Sequence, residues 1–315
     1  MKVGSRKLRP FVVLGLNTNT MNNTLKVGLV LTALTAAIVL LGRAVGGTGG
    51  MAIALGLAVL MNGVSYWFSD KIVLRMSGAR PVGPQEAPDL YRLTESLAQR
   101  ADIPMPRLYI IDDPQPNAFA TGRSPSHGAV AVNTGLLQLL SQSEVEGVLA
   151  HEIGHIKHRD TLTMTVVATL AGALMLLVDV ARFGAIFGGH NSDDDGLSLP
   201  ALIVMSIVGP IAAMMVQGAV SRAREFEADK TAAYLTGSPD GLIGALSKLE
   251  RGARAIPNHA MSPQTAHMCI VNPFAGGMGG ALMRLFSTHP PTEKRIEALA
   301  QLRGVVTPQS ANPWR

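Results

Sequence analysis

The sequence predicts a mainly α-helical membrane protein of the α+β class, with a small antiparallel β-sheet in its soluble part. Three observations predict it: long apolar windows, amphipathic helical periodicity between them, and short strand-like runs bounded by turn residues. Four windows of the 315 residues lack Asp, Glu, Lys and Arg, namely 27–42, 44–69, 161–178 and 196–221. Each window is mostly apolar and is close to or above the length of about 20 residues with which a helix crosses a bilayer.

The four windows form two pairs. Only the Gly-rich stretch RAVGGTGG separates the first two, which predicts a tight transmembrane hairpin over 25–69. The second pair, within 161–221, is richer in Thr, Gly and Met, so it predicts either two further membrane spans or two helices buried in a protein core. With four spans, the chain divides into 1–24, 25–69, 70–160, 161–221 and 222–315.

The distribution of basic residues predicts the orientation. Basic residues precede the first span and follow the second, whereas the hairpin turn offers only Arg43. Positively charged flanks stay in the cytoplasm, so we expect the N-terminus, 70–160 and 222–315 to face the cytoplasm. Much of the net charge of +5 lies beside the spans, where it meets anionic lipid head groups, so the bilayer is the expected partner and nucleic acid is not.

The two cytoplasmic segments are expected to form one domain. Leu90, Leu93 and Leu97 predict an amphipathic helix over 88–101. Strand-like runs lie at 107–112 and 128–135, and NAFATGRSPSHG between them fits a further short strand and a turn. The remaining predicted elements are helices over 222–235 and 240–252 and a final helix that begins near Thr292.

The segment HEIGH predicts a metal site. Ser143 and Glu146 have capping-box spacing, which predicts a helix that starts there and runs through 158. His151 and His155 are one turn apart on that helix, and two imidazoles at this spacing can bind one zinc ion. Glu152 lies beside them, where it can take a proton from a water that the metal activates.

A catalytic zinc site needs a third protein ligand. His158 is the local candidate, but it lies a full turn beyond His155, so a more distant carboxylate is favoured. Glu225 and Asp229 share one face of the predicted helix after the fourth apolar window. We expect Glu225 to bind the metal and Asp229 to accept a histidine N–H, although a solvated helix face explains the same spacing.

Three motifs together carry a family resemblance: HEIGHIKHRD, SRAREFEAD and STHPPTEKRI. With the N-terminal hairpin, they resemble the HtpX-type membrane zinc metalloproteases, relatives of the CAAX prenyl endopeptidases. The resemblance implies a zincin-like catalytic domain on a four-helix anchor in the inner membrane, with one Zn²⁺ per chain. It also implies endoproteolysis of misfolded or damaged membrane proteins from the cytoplasmic side, with His151, His155 and Glu225 as ligands and Glu152 as the base.

The same resemblance assigns residues that contact the substrate. It places Asn117, Ala118 and Phe119 at the start of an edge strand that binds the substrate, and His289 near the active site. Asn117 and His289 are then candidates to stabilise the oxyanion, whereas the residues alone indicate a turn-forming Asn and a His at a helix entry. Two alternatives share these motifs: a prenyl-protein endopeptidase, and a non-catalytic scaffold whose zinc Cys269 completes.

Overall fold

The computed structural model describes residues 18–166, 222–255, 270 and 290–306. Most of the expected second pair of spans lies outside these residues, as do Cys269 and His289. The described residues form a long apolar helical hairpin, a small sheet and a set of packed helices.

Helix α1 spans Thr18–Met76 and turns back on itself near its middle. Gly47 has a φ of 60°, a left-handed conformation that glycine adopts without steric cost. The side chain of Asn62 donates a 2.8 Å hydrogen bond to Thr35, 27 residues earlier. In an unbroken helix these two residues would lie about 40 Å apart, so the contact identifies α1 as a helical hairpin.

The second half of α1 exposes a large apolar surface. Among the described residues, Gly47–Met76 is the one helix that is long and apolar enough to cross a membrane, judged by length and composition. Only 17% of its apolar window is buried within the protein. Large side chains such as Ile53 and Leu60 are 76% and 63% exposed, which is costly in water and favourable in lipid.

The sheet of the described residues is mixed, with the strand order β1-β2-β4-β3. The strands are β1 (Arg80–Pro81), β2 (Arg107–Ile111), β3 (Ala118–Thr121) and β4 (Ala129–Asn133). The antiparallel sheet expected from the sequence is wrong in one respect, because β2 and β4 run parallel. Strand β4 turns back from β3 and inserts between β3 and β2, so it is antiparallel to β3 and parallel to β2.

Strand β3 lies at an edge of this sheet, between two apolar layers. Phe119 packs with Val73 and Leu74 of α1 on one face. Ala118 and Ala120 belong to the larger core on the other face. This alternation of side chains is what a strand produces, and it fixes β3 against the end of α1.

Helices cover the other face of the sheet. They are α2 (Pro88–Ala101), α3 (Thr134–Leu139), α4 (Gln142–Lys157), α5 (Arg222–Thr236), α6 (Asp240–Ala255) and α7 (Thr292–Ala300). Residues 160–166 are also helical. Helix α4 packs against both α5 and α6, so residues on either side of 161–221 share one core.

A capping box begins helix α4, but not the one expected. Glu144 accepts a 2.7 Å hydrogen bond from the main-chain N–H of Ser141, and Lys248 of α6 donates a further 2.7 Å bond to Glu144. The expected pairing of Ser143 with Glu146 is therefore wrong by two residues. A serine precedes a glutamate by three residues twice in this stretch. The first pair, Ser141 and Glu144, forms the capping box because Glu144 is buried against α6.

This capping box predicts a pH-dependent contribution to stability. Burial opposes the charge of Glu144, but hydrogen bonds from Lys248 and Ser141 outweigh it and lower the pKa of Glu144. A lowered pKa stabilises the fold above the usual glutamate range, and the contribution is lost as the pH falls through the folded-state pKa. Glu144→Gln should cost about 1 kcal/mol at pH 7. The Tm difference from wild type should shrink as the pH falls below the usual glutamate range.

Thermal unfolding in detergent at pH 7 and at pH 3.5 or so checks this prediction. Glu95→Gln is the matched control, because Glu95 is exposed on α2. A Tm difference for Glu144→Gln that is as large in acid as at neutral pH would contradict the assignment.

The crossing of α4 and α6 predicts a strong steric effect. A Cβ added to Gly147 would lie 2.5 Å from the main-chain nitrogen of Leu242. Gly147→Ala should therefore lower the free energy of unfolding by about 1–3 kcal/mol, measured as a fall in Tm. Gly252→Ala is the control, since its Cβ would meet Pro116 at an ordinary 3.4 Å and alanine favours a helix. Equal Tm values for the two variants would refute the close crossing.

Candidate metal centre

The HEIGH segment directs its ionisable side chains into the protein core. All three are at most 4% exposed: His151, Glu152 and His155. Glu225 on α5 is completely buried beside them. Buried charged or polar groups are costly unless they are paired or bind a metal, so this cluster needs a specific explanation.

Small residues bring α4 and α5 together. A Cβ added to Gly154, within HEIGH, would lie 3.3 Å from the main chain of Ala228. Ala228 and Ala232 are both buried on α5. The close approach of the two helices places Glu225, one turn before Ala228, next to the histidines.

Three side chains converge on one point. His151 Nε2 and His155 Nε2 are 3.1 Å apart. Glu225 Oε1 lies 3.5 Å from His155 Nε2, and Glu225 Oε2 lies 3.8 Å from His151 Nε2. One donor atom from each of the three residues lies within 4.8 Å of the others, so the geometry suits a single metal ion.

Carboxylates contact the opposite ring nitrogens of both histidines. His151 Nδ1 is 2.9 Å from Asp229 Oδ1, and His155 Nδ1 is 3.3 Å from Asp160 Oδ2. A carboxylate that accepts the Nδ1 proton leaves the Nε2 lone pair available, which is how proteins orient metal-binding imidazoles. The donor set and its supports therefore fit a divalent metal such as zinc.

The contact of Asp229 with His151 follows the sequence-based expectation, whereas Asp160 was missed. Asp160 lies beyond the end of α4, after Arg159, whose φ of 59° redirects the chain. Arg224 of α5 also contacts Asp160, at 3.2 Å. The acid in HEIGHIKHRD was the available signal, but spacing on one helix does not reveal a residue that a turn brings back.

Arg295 of α7 is a further buried residue of the centre that the sequence reasoning missed. It is 1% exposed and donates two hydrogen bonds to the Asp229 carboxylate, at 2.7 and 2.8 Å. Its Nη1 lies 3.5 Å from Glu225 Oε2 and donates a 2.9 Å bond to the carbonyl of Ile270. Arg295 shares the buried face of α7 with Leu299, one turn later, which was the available signal.

The predicted substrate residues have mixed outcomes. Asn117 is buried, and its side-chain oxygen accepts a 3.3 Å bond from the Ile270 N–H, which links it to Arg295. Ala118 and Phe119 are the first two residues of edge strand β3. The role predicted for His289 concerns a residue outside the described ranges. The structure thus brings Asn117 and β3 to the centre's surroundings without testing their roles.

His158 is not part of the metal-binding cluster. Its Nε2 lies 2.9 Å from the hydroxyl of Thr231 on α5, and His158 is not among the three residues that converge. This agrees with the argument that a rigid helix cannot direct three imidazoles at one ion.

The two histidines of the cluster have different pKa values. Burial lowers the pKa of His151 to about 4. Burial also opposes the charge of His155, but the hydrogen bond with Asp160 and the charge of Glu225 raise its pKa to about 9. A proton on His155 would compete with a metal ion, because a metal binds the neutral imidazole.

Glu152 is a buried carboxyl group with a raised pKa. Burial raises its pKa to about 7, even though a hydrogen bond from the Ala120 main chain favours the carboxylate. A carboxyl group near neutrality can accept and return a proton during a reaction. The contact with Ala120 also places Glu152 directly beside edge strand β3.

The buried cluster of His151, His155 and Glu225 suits a metal-dependent enzyme, and comparison with known proteins gives the class, a peptidase. Residues 84–303 match the family model described as Peptidase family M48, so the chain belongs to peptidase family M48. The expected resemblance to HtpX-type proteases is confirmed by curated relatives named Protease HtpX homolog. The chain is 51% identical over 281 residues to that of Desulforapulum autotrophicum, covering 89% of this chain and 90% of the relative.

A second relative carries the same name. The chain is 52% identical over 277 residues to the protein of Pyrococcus furiosus, covering 88% of this chain and 95% of the relative. Among solved structures it is similar to Ste24p of S. mikatae, with 20% identity and a TM-score of 0.49. That match covers 90% of this chain and 66% of the length of the other.

Proposed function

We propose that this protein is a membrane-bound, zinc-dependent endopeptidase that hydrolyses misfolded or damaged membrane proteins at the cytoplasmic face of the inner membrane. The observation that carries the proposal is the convergence of His151, His155 and Glu225 beside Glu152. Two imidazoles and one carboxylate are a donor set of catalytic zinc sites, which keep one position open for water.

In the proposed reaction, the metal and the residues around it have separate roles. Bound zinc would act as a Lewis acid that polarises the scissile carbonyl and makes the attacking water more acidic. Glu152 accepts the proton of that water and returns it to the nitrogen of the leaving amine. Asp160 and Asp229 hold the histidines in their tautomers, and Arg295 fixes Asp229.

Strand β3 supports binding of an extended substrate. The main-chain N–H of Asn133 donates a hydrogen bond to the carbonyl of Asn117. Hydrogen-bonded residues alternate along an antiparallel pair, so the main-chain N–H and C=O groups of residues 119 and 121 also point toward β4. The main-chain groups of Ala118 and Ala120 therefore point away from the sheet, and Ala120 contacts Glu152. A peptide that pairs with this edge would lie beside the general base and be held largely by main-chain bonds, whatever its sequence.

The membrane location rests on the apolar surface of α1. Its second half exposes large apolar side chains along a length sufficient to cross a bilayer. The charge-free windows at 161–178 and 196–221 would supply two further spans, and the basic flanks favour a cytoplasmic active site.

Cleavage of an unfolded test protein by the full-length protein in detergent tests the proposal. We expect one zinc per chain, cleavage at internal peptide bonds, loss of cleavage with a chelator and recovery when zinc is restored. Cleavage that persists after complete removal of the metal would overturn the proposed chemistry.

A further inference from the structure

We propose that the turn between β3 and β4 and the adjoining end of α1 form a binding site for the phosphate head groups of anionic lipids. We call it the headgroup site; it comprises Trp67, Lys71, Arg123 and His127. The inference rests on the proposed membrane location and deepens it, because it states which face of the soluble domain rests on the lipid.

Aromatic residues mark where α1 leaves its apolar stretch. Tyr66, Trp67 and Phe68 are consecutive and 36%, 56% and 49% exposed. Lys71 follows Trp67 by one turn, and its Nζ lies 5.6 Å from the centre of the Phe68 ring. Exposed aromatic rings followed by a lysine are typical of the level at which a membrane helix meets the head groups.

Arg123 attaches the β3–β4 turn to this aromatic group. Its guanidinium carbon lies 5.0 Å from the centre of the Trp67 ring, and it donates a 3.4 Å hydrogen bond to the Trp67 carbonyl. Arg123 Nη2 is 2.8 Å from His127 Nε2 across the turn. A guanidinium stacked on an indole is pre-organised for bidentate binding of a phosphate through its N–H groups.

Positive charge is in excess at this site. Asp70 is buried there and forms a 2.7 Å ion pair with Arg107, which neutralises it. Among the described residues, no ion pair of 4.0 Å or less neutralises Lys71, Arg75 or Arg123. A surface that combines uncompensated cations with exposed aromatic rings fits an anionic lipid surface.

A second helix meets the soluble domain at the same turn. Thr161 donates a 2.8 Å hydrogen bond to the carbonyl of Gly122, and the hydroxyls of Thr121 and Thr165 are 3.0 Å apart. Thr161 and Thr165 belong to the helical residues 160–166, and the third charge-free window begins at 161. The β3–β4 turn thus lies between the end of α1 and the start of the third apolar window. Both are places where the chain would cross the membrane surface.

This placement has a consequence for substrate entry. Strand β3 ends at Thr121, directly before the headgroup site, and its edge passes Glu152. A polypeptide segment that emerges at the lipid surface would reach β3 at this end. The site would therefore orient the edge strand toward membrane-associated substrates.

Trp67 provides the probe for a direct test, because Trp314 is the other tryptophan of the chain. The full-length Trp314→Phe protein is reconstituted in phosphatidylcholine vesicles that contain increasing fractions of brominated phosphatidylglycerol or brominated phosphatidylcholine. One basic side chain near a membrane surface strengthens binding of anionic lipid about five-fold. We expect Trp67 to be half quenched at an about five-fold lower fraction of the anionic lipid.

Variants distinguish binding at the headgroup site from a general attraction of the basic protein to an anionic membrane. In the Trp314→Phe background, Arg123→Gln should remove most of the preference for the anionic lipid, and Arg123→Lys should retain it in part. Arg92→Gln on α2 is the control and should leave the preference unchanged. Equal quenching by both lipids, or a preference that survives Arg123→Gln, would overturn the headgroup site while leaving the membrane location intact.

Two further outcomes separate this inference from the proposed function. If no brominated lipid quenches Trp67 and the zinc-dependent cleavage persists, the headgroup site is overturned and the proposed peptidase activity stands. If the anionic preference depends on Arg123 but the zinc-loaded protein cleaves no polypeptide, the headgroup site stands and the proposed function fails.

Discussion

Glu152→Gln is expected to lower kcat/KM for an unfolded protein substrate on the order of 10³-fold while zinc binding stays at the wild-type level. The glutamine keeps the size of the side chain but cannot accept a proton from water. His151, His155 and Glu225 remain, so the metal-binding cluster is intact. The measurement compares cleavage rates and zinc content in the same preparations.

Glu227→Gln on α5 is the matched control, because Glu227 is partly exposed and is not a member of the cluster. Its activity should match the wild type. A clean preparation of Glu152→Gln that cleaves at the wild-type rate would remove Glu152 from the mechanism. Loss of zinc in that variant would instead indicate that Glu152 is a ligand.

Arg295→Met is expected to cost about 3–5 kcal/mol in the free energy of unfolding, because it leaves the buried Asp229 carboxylate without its partner. Zinc affinity should fall about 10- to 100-fold, since Asp229 no longer holds His151 firmly. Thermal unfolding of the metal-free protein and zinc titration measure the two effects separately.

Two variants make this prediction decisive. The double variant Asp229→Asn, Arg295→Met removes both charges and should recover part of the stability. Arg303→Met is the control on the same terminal segment, because Arg303 pairs with Asp240 at 2.7 Å with both side chains exposed. It should cost about 0–1 kcal/mol. Equal effects of the two arginine variants would show that Arg295 does not support the centre.

The metal cluster was predictable because its strongest signals are local. His151 and His155 are one turn apart on a single helix, so their spacing alone predicts a shared metal. Glu225 and Asp229 were predictable because they share a face of the helix that small alanines bring close to α4. Helix bounds followed in the same way from periodicity and from turn residues.

The features that were missed depend on how distant segments pack. In the sequence, Arg295 lies in a helix rich in charged residues, which indicates a solvent-exposed side chain. It is buried only because α7 packs against Asp229. Asp160 depends on the turn at Arg159. The mixed sheet was missed because strand order is set by the insertion of β4 between its neighbours, and the local pattern of a short buried strand is the same in either direction.

The most direct test of the central claim is zinc X-ray absorption on the Glu152→Gln protein, which should bind metal without digesting itself. We predict one zinc per chain with nitrogen and oxygen ligands, two of them imidazoles, and loss of most of that zinc when Glu225→Ala is added. A zinc–sulfur distance, which Cys269 would produce, or full zinc occupancy without Glu225, would contradict the proposed catalytic centre.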